Sequence, residues 1–537
     1  MPLLPDSSSP RPRQQRTFPW GLFFCGYCAI ILVAQLIHQS AIKPLWRDEL
    51  FTYFEVHDKT CGEIIQSLKT GVNLLPPTYF LLLSALLHFT DFTPLLGWAL
   101  GCSFILATVP VMWLALRRTA GTLITAIAIS GVVFCSPLIY YHNSEARPYG
   151  FFLFAAGMVA WAFARSVQEE RLSSGTLVLL VVANALLPSV NYIGGLYSAA
   201  ALAVTFTLDL AARRMRWRVY GAYLGGWALF AVLVLPLCLA QYRMRGTVGT
   251  NWLPDFYEAV LILGKQWAKT LIPFAVVVVP FAIWLTFGQY EPKVNQSSER
   301  QGDLSAWSLA ALGLAWLFIP VFFIGQSLLT HRNMYMDRYF IASDLGLLLL
   351  LAALASLACA RWRGTATIET AVRAPWHRGF ATAVAVGFVV IASLRFYWNG
   401  RNELWGTGDA VYACKAWPGP KATFSLSYYI EGHVRTGPDM HFILLSQHPS
   451  DRDLIGAYCR DFEIREFDGL AVFPEFVYVD SREAPPDFNL QGWAQTHNYA
   501  IEQVGFYKET HDPKRGIFRL KRTAVTAQVL GPAGRSN

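Results

Sequence analysis

The stretch "LWRDELFTYFEV" (45–56) sets Arg47, Asp48 and Glu49 side by side six residues after a 22-residue apolar run ends. Adjacent carboxylates at such a place have two uses. Fully solvated at a helix end, they are inert. Half-buried, they gain basicity, because loss of water raises a carboxylate's pKa, and such a group takes a proton from an attacking hydroxyl. The aromatic flanks Trp46, Phe51, Tyr53 and Phe54 favour the half-buried case. A second acidic–basic cluster, Glu145 and Arg147, lies in "YYHNSEARPYG" (140–150), with Tyr149 at its end. A third stretch, "HRNMYMDRYF" (331–340), carries Arg332 and Arg338, and Lys265 and Lys269 stand in the segment 242–269. A guanidinium binds phosphate through two parallel hydrogen bonds, so this set suits a phosphate clamp. Its ordinary alternatives are snorkelling to lipid headgroups and, for Arg338, an ion pair with Asp337.

His57, His88 and His142 are not at metal-ligand spacing, and structural or interfacial roles fit them better. An acidic pair can hold a divalent ion through oxygen ligands, so a divalent cation stays open while no cofactor is established. No phosphate-cradling loop with Lys and Ser/Thr appears, which argues against nucleotide hydrolysis.

The elements that must position these residues are membrane spans. Of 537 residues 54% are hydrophobic and 15% charged, against about 25% charged in a soluble protein. Runs long enough to span recur near 18–39, 98–116, 121–139, 148–164, 175–191, 194–212, 219–241, 271–288, 306–328, 339–360 and 379–396. The stretch "LLPPTYFLLLSALLHF" (74–89) is short and opens on Pro76–Pro77, so it fits an interfacial or re-entrant segment better. With it left out and the N-terminus inside, 17 of the 30 Lys and Arg up to residue 401 face the cytoplasm and 13 face out. Counting it as a crossing gives 12 inside and 18 outside. The positive-inside rule therefore favours eleven spans. That threading places 45–70, 140–150, 242–269, 331–340 and the whole tail on one outer face.

The expected fold is an all-α polytopic membrane domain of about 11 transmembrane helices. Segments 50–58 and 61–70 form interfacial helices in the first outer loop. A small α/β or α+β soluble domain follows. The boundaries are a cytoplasmic tail at 1–17, the membrane domain at 18–397 and an extracytoplasmic domain at 398–537. No cleavage-site pattern follows the first run, which reads as an uncleaved span. The net charge of +8 sits at the ends of apolar runs, where lipid headgroups and topology demand it, so it is no sign of nucleic acid. Cys414 and Cys459 are the only cysteines in the tail, and can bridge if it faces an oxidising compartment.

Two other function classes bear on the same residues. A secondary transporter or flippase carries its charges at midplane; here Asp209 and Asp344 are the main intramembrane carboxylates, and neither has an evident cationic partner. The Leu/Ala/Val-filled spans also lack the paired broken helices of such transporters. An envelope-assembly scaffold explains the tail but not the loop charges.

"RDELFTYFEV", "LLPPTYFLLLSALLHF", "LALRR" closing a span, "SPLIYYHNSEARPYGFFLF" and "MDRYFIASDLGLLLL" stand in an order that resembles the GT-C glycosyltransferases. The nearest likeness is to the bacterial relatives of the protein O-mannosyltransferases and the lipid A aminoarabinose transferase, over about 18–360. The resemblance implies Asp48 as general base and Glu49 as its acidic partner. It places Glu145 and Arg147 on the second outer loop and Arg338 at a lipid phosphate. The implied activity moves a sugar from a polyprenyl-phosphate donor to a hydroxyl of a glycan, lipid or protein, at the outer face of the bacterial inner membrane. In two places the chain departs from the family pattern, with Leu75 before the Pro-Pro pair and Asn191 where histidines are usual.

Overall fold

The computed structural model describes residues 20–40, 47–57, 59–69, 73–90, 94–169, 171–244, 254–288, 296–331, 335–363, 374–399, 419–423, 442–445, 464–480, 484, 488–507 and 515–523. The eleven apolar runs fall on helices among the described residues, two of them, 121–139 and 219–241, each divided between two helices. In chain order the helices are α1 (Trp20–Ser40), α2 (Arg47–Val56), α3 (Cys61–Lys69), α4 (Thr78–Leu87), α5 (Pro94–Cys135), α6 (Pro137–His142), α7 (Tyr149–Gln168), α8 (Ser174–Val190) and α9 (Gly194–Ala211). Then come α10 (Trp217–Leu233), α11 (Leu235–Met244), α12 (Phe256–Gly288), α13 (Gln296–Thr330), α14 (Ala342–Arg363) and α15 (Ala374–Asn399).

Five of these helices are long and apolar enough to cross a bilayer alone, and α10 with α11 makes a sixth crossing bent by 55°. The chain is a multi-pass membrane protein. The helix α5 has 42 residues, about 63 Å at 1.5 Å per residue, twice the hydrocarbon thickness. It breaks at Gly121, whose φ of 74° suits a residue without Cβ, and so supplies two spans. The ten residues of α4 reach only about 15 Å, half the bilayer, so this helix does not cross alone. One sequence expectation is corrected here: the run 219–241 is broken at Val234. Pro236 lacks an N–H and would clash with the carbonyl four residues earlier, which ends α10 upstream of it.

Polar contacts sort the helix ends into two groups. At one end Gln35 and Gln39 of α1 meet Tyr140, Asn143 and Ser144. Thr78 donates to Ser189 O, and Gln266 of α12 to Asp337. At the other end Gln168 donates to Thr119 Oγ1, Ser356 to Thr119 O, and Arg216 to Ser166 O and Asp209. The loops gathered on one face by the charge count thus share one end of the bundle.

Residues beyond 419 build the mixed sheet β1 (Lys421–Thr423), β2 (Phe442–Leu445), β3 (Ile464–Arg465), β4 (Glu475–Val479), β5 (Tyr499–Tyr507) and β6 (Arg515–Arg522), with the short helix α16 (Leu490–Thr496) before β5. The strand order is β3-β2-β1-β4-β6-β5, parallel from β3 to β4 and antiparallel from β4 to β5. Ile443 and Leu445 face a core with Phe467, Phe476 and Tyr478, whereas Leu444 between them joins the apolar core of the helices. Strand alternation therefore lets this short strand pack on both sides. Cys414 and Cys459 lie outside the described residues.

Candidate active site

At the loop-rich end the site is built on α2. Glu49 is fully buried, and its Oε1 accepts from the indole Nε1 of Trp98 at 2.7 Å and from the backbone N of Ala146 at 2.8 Å. One carboxylate thereby ties α2 to the start of α5 and to the 143–148 loop. Asp48 falls on the first turn of α2, but its side chain lies outside the described residues. The spacing 48, 52, 55 places these three positions on one stripe of the helix.

The second cluster closes on this stripe. Arg147 is buried, and its Nη1 donates to Thr52 Oγ1 at 3.3 Å. Glu145 is buried against His142, whose Nδ1 meets its Oε2. The 142–150 segment can lie this close because Gly101 of α5 and Gly150 of α7 bring their backbones together; a Cβ on Gly101 would stand 2.6 Å from Glu145 O. Tyr149 packs beside His142 at 4.5 Å and Tyr339 at 6.4 Å between ring centroids. Tyr339 belongs to the 3-10 turn Asp337–Phe340, which carries Arg338. The Asp337 carboxylate accepts from Gln266 at 3.1 Å and from the backbone N of Arg338 at 2.7 Å, and the Arg338 guanidinium lies over the Tyr339 ring.

Of the residues singled out from sequence, Glu49, Glu145, Arg147, Tyr149 and Arg338 therefore belong to one connected region. Lys265 lines a groove of 250 Å³ with Lys269 and Arg395. Arg332 lies outside the described residues.

Sequence reasoning passed over several residues. Glu55 is 1% exposed, its Oε1 has no hydrogen-bond partner, and Lys59, Ser67 and Arg147 surround it. Burial raises its carboxyl above the usual carboxylate range, against the pull of those three neighbours. Its distance of seven residues from Asp48 was the available signal. Tyr79 of α4 is fully buried within the field of Arg147, Glu49 and Glu145.

The intramembrane carboxylates also read differently in the structure. Asp209 has a cationic partner: Arg216 Nε donates to both its oxygens at 2.8 and 3.0 Å, and Tyr220 adds a third bond. The partner is seven residues away, beyond the helix end, which periodicity inside the span does not reveal. Asp344 is buried against Ser136, in the field of His142.

Among the described residues no three His, Cys, Asp or Glu converge as metal donors. Glu49 and Glu145 are also engaged by N–H donors and a histidine.

No family model matches the chain, and no curated protein does. Two solved structures share its fold. One is ArnT from Cupriavidus metallidurans bound to undecaprenyl phosphate, at 13% identity and TM-score 0.53, covering 93% of this chain and 98% of that one. The other is the same protein in the apo state, at 14% identity and TM-score 0.55, covering 93% and 97%. The chain shares the fold of these two structures, a polytopic helical domain followed by a small sheet domain.

Proposed function

We propose that this protein is an inverting glycosyltransferase that moves a sugar from a polyprenyl-phosphate donor to an acceptor hydroxyl. The reaction runs at the outer face of the bacterial inner membrane. The observation that carries the reading is the convergence of α2, the 143–149 loop and the Asp337–Phe340 turn at one end of a bundle that also holds an apolar cleft. That cleft has a volume of 840 Å³ and is lined by α9, α13 and Trp267. The reading seats the prenyl chain on apolar helix surface of this kind and its phosphate at Arg338. The fold likeness to a protein bound to undecaprenyl phosphate supports the same reading.

The acceptor oxygen attacks the anomeric carbon from the face opposite the phosphate, and Asp48 takes its proton. The bond from the anomeric carbon to the phosphate oxygen breaks, the electron pair leaves with the polyprenyl phosphate, and the configuration inverts. The transition state resembles an oxocarbenium ion, with negative charge growing on the phosphate. Arg338, with Arg332, stabilises that charge. Glu49 holds the pitch of α2, and Glu145, Arg147 and Tyr149 shape the opposite wall. Lipids, glycans or proteins are the acceptor classes.

The test separates base from clamp in purified, folded protein. Asp48→Asn should lower single-turnover rate by about 10²- to 10⁴-fold with little change in donor affinity. Arg338→Ala should weaken donor binding and slow turnover together, and Lys should restore only part because it lacks the bidentate fork. Normal turnover by Asp48→Asn, or unchanged affinity and rate in Arg338→Ala, would refute these roles.

A further inference from the structure

The segment from Asn73 to Tyr79 is strapped down at both ends. Gln241 of α11 donates from Nε2 to Asn73 O at 3.0 Å and to Leu75 O at 3.2 Å, and its Oε1 accepts from Tyr192 at 2.7 Å. Thr78 donates to Ser189 O at 2.6 Å. The strap thus lies against the junction of α8 and α9, and Asn191 caps α8 at that junction.

Three polar groups in this small region are buried without a hydrogen-bond partner: Asn73 Nδ2, the Tyr79 hydroxyl and Asn191 Nδ2. Asn191 Oδ1 accepts from the backbone N of Ile193 at 3.1 Å, which aims its amide N–H₂ away from the turn. Leaving one buried donor unmet costs about 1–3 kcal/mol, so three together point to a ligand that meets them. The tie to the active site is Tyr79, which sits in the field of Arg147, Glu49 and Glu145.

We propose that Asn73, Tyr79 and Asn191 form the wall that recognises the hydroxyls of a neutral donor sugar. The inference rests on the donor reading above and adds the class of sugar. All three groups present N–H or O–H to a ligand oxygen, as a polyol requires. None of the three is an anion, the partner an ammonium group favours.

The test is competitive binding by native mass spectrometry of the full chain in lipid nanodiscs. The probes are undecaprenyl phosphate, bare or carrying glucose, mannose, galactose or aminoarabinose. At least one neutral hexosyl carrier should bind about tenfold or more tighter than the bare carrier. Tyr79→Phe, Asn73→Ala and Asn191→Ser should each cut that preference about fivefold, near one ordinary hydrogen bond. Affinity for the bare carrier should stay the same. The melting temperature should not fall, because the donors removed have no partner and Ser can still accept from Ile193. An intact preference in all three variants overturns the proposal. So does equal weakening of bare and glycosylated carrier, as a purely structural role would give, or a preference for the aminoarabinose carrier. If the bare carrier does not bind at all, the donor reading falls with it.

Discussion

Gly101→Ala tests the placement of the site by a single methyl group. The added Cβ would stand 2.6 Å from Glu145 O, about 0.8 Å inside the 3.4 Å at which ordinary contact begins. Neither neighbour is a flexible side chain, since one is the backbone of α5 and the other the backbone of the 142–150 segment, so the segment must move. The residue after that carbonyl is Ala146, whose N–H holds Glu49 at 2.8 Å. A shift of this size stretches that bond and frees the pitch of α2, and Asp48 moves with it. Overpacking of this kind costs about 1–3 kcal/mol. A misplacement near 1 Å costs about 10²-fold in rate. The variant should therefore stay folded with a lowered melting temperature and lose about two orders of magnitude in turnover. The assay is mass spectrometry of envelope glycans and glycolipids in cells lacking the chromosomal copy and carrying each variant, normalised to protein level, beside melting of the purified protein. Gly325→Ala is the control, because a Cβ there meets nothing within 4 Å. Wild-type turnover in Gly101→Ala, or equal damage in the control, would refute the chain of contacts from Gly101 to α2.

The Glu55 carboxyl is raised by burial, so its stability effect has a definite sign. Ionising it in the folded state is unfavourable, and that cost appears as pH rises from near the ordinary carboxyl value of 4.5 through the raised folded value. Glu55→Gln should melt higher than wild type at pH 7 to 8, with the gain vanishing below about 4.5; a constant difference across that range would sink the assignment. Arg216→Ala removes the closer of two cations from buried Asp209, leaving Arg214 at 3.6 Å and the Tyr220 hydroxyl; it should cost less than the about 3–5 kcal/mol of a fully broken buried pair, lowering abundance while leaving turnover per folded molecule unchanged. Replacing Asp209 by Asn in the same chain should recover much of that loss, and failure to recover would show that the pair is not the cause. For the outward tail and first loop, a membrane-impermeant thiol reagent should modify single cysteines placed at 60 and 497 from the same, non-cytoplasmic side; labelling of either from the cytoplasmic side alone contradicts the topology.

The sequence by itself determined the apolar runs that make this a multi-pass membrane protein. Apolar length and charge bias act locally, run by run, so the eleven runs could be read without knowing any neighbour. The half-length of α4 and the positions of the acidic pair, the EARPY loop and the late Arg were legible for the same reason. What only the tertiary structure decided is which groups meet. Glu49 is held by Trp98 and Ala146, 49 and 97 residues away, and no periodicity encodes such a pairing. Asp209 appeared to lack a cation because its partner, Arg216, sits past the helix end and folds back. Lys265 shares a groove with Lys269 and Arg395, and that company of three cations from two distant helices is likewise set by packing rather than by any local pattern. Asn73, Tyr79 and Asn191 looked like ordinary polar residues in sequence. They stand out only once burial is known, because a polar group carries a cost for lacking a partner only when water cannot reach it.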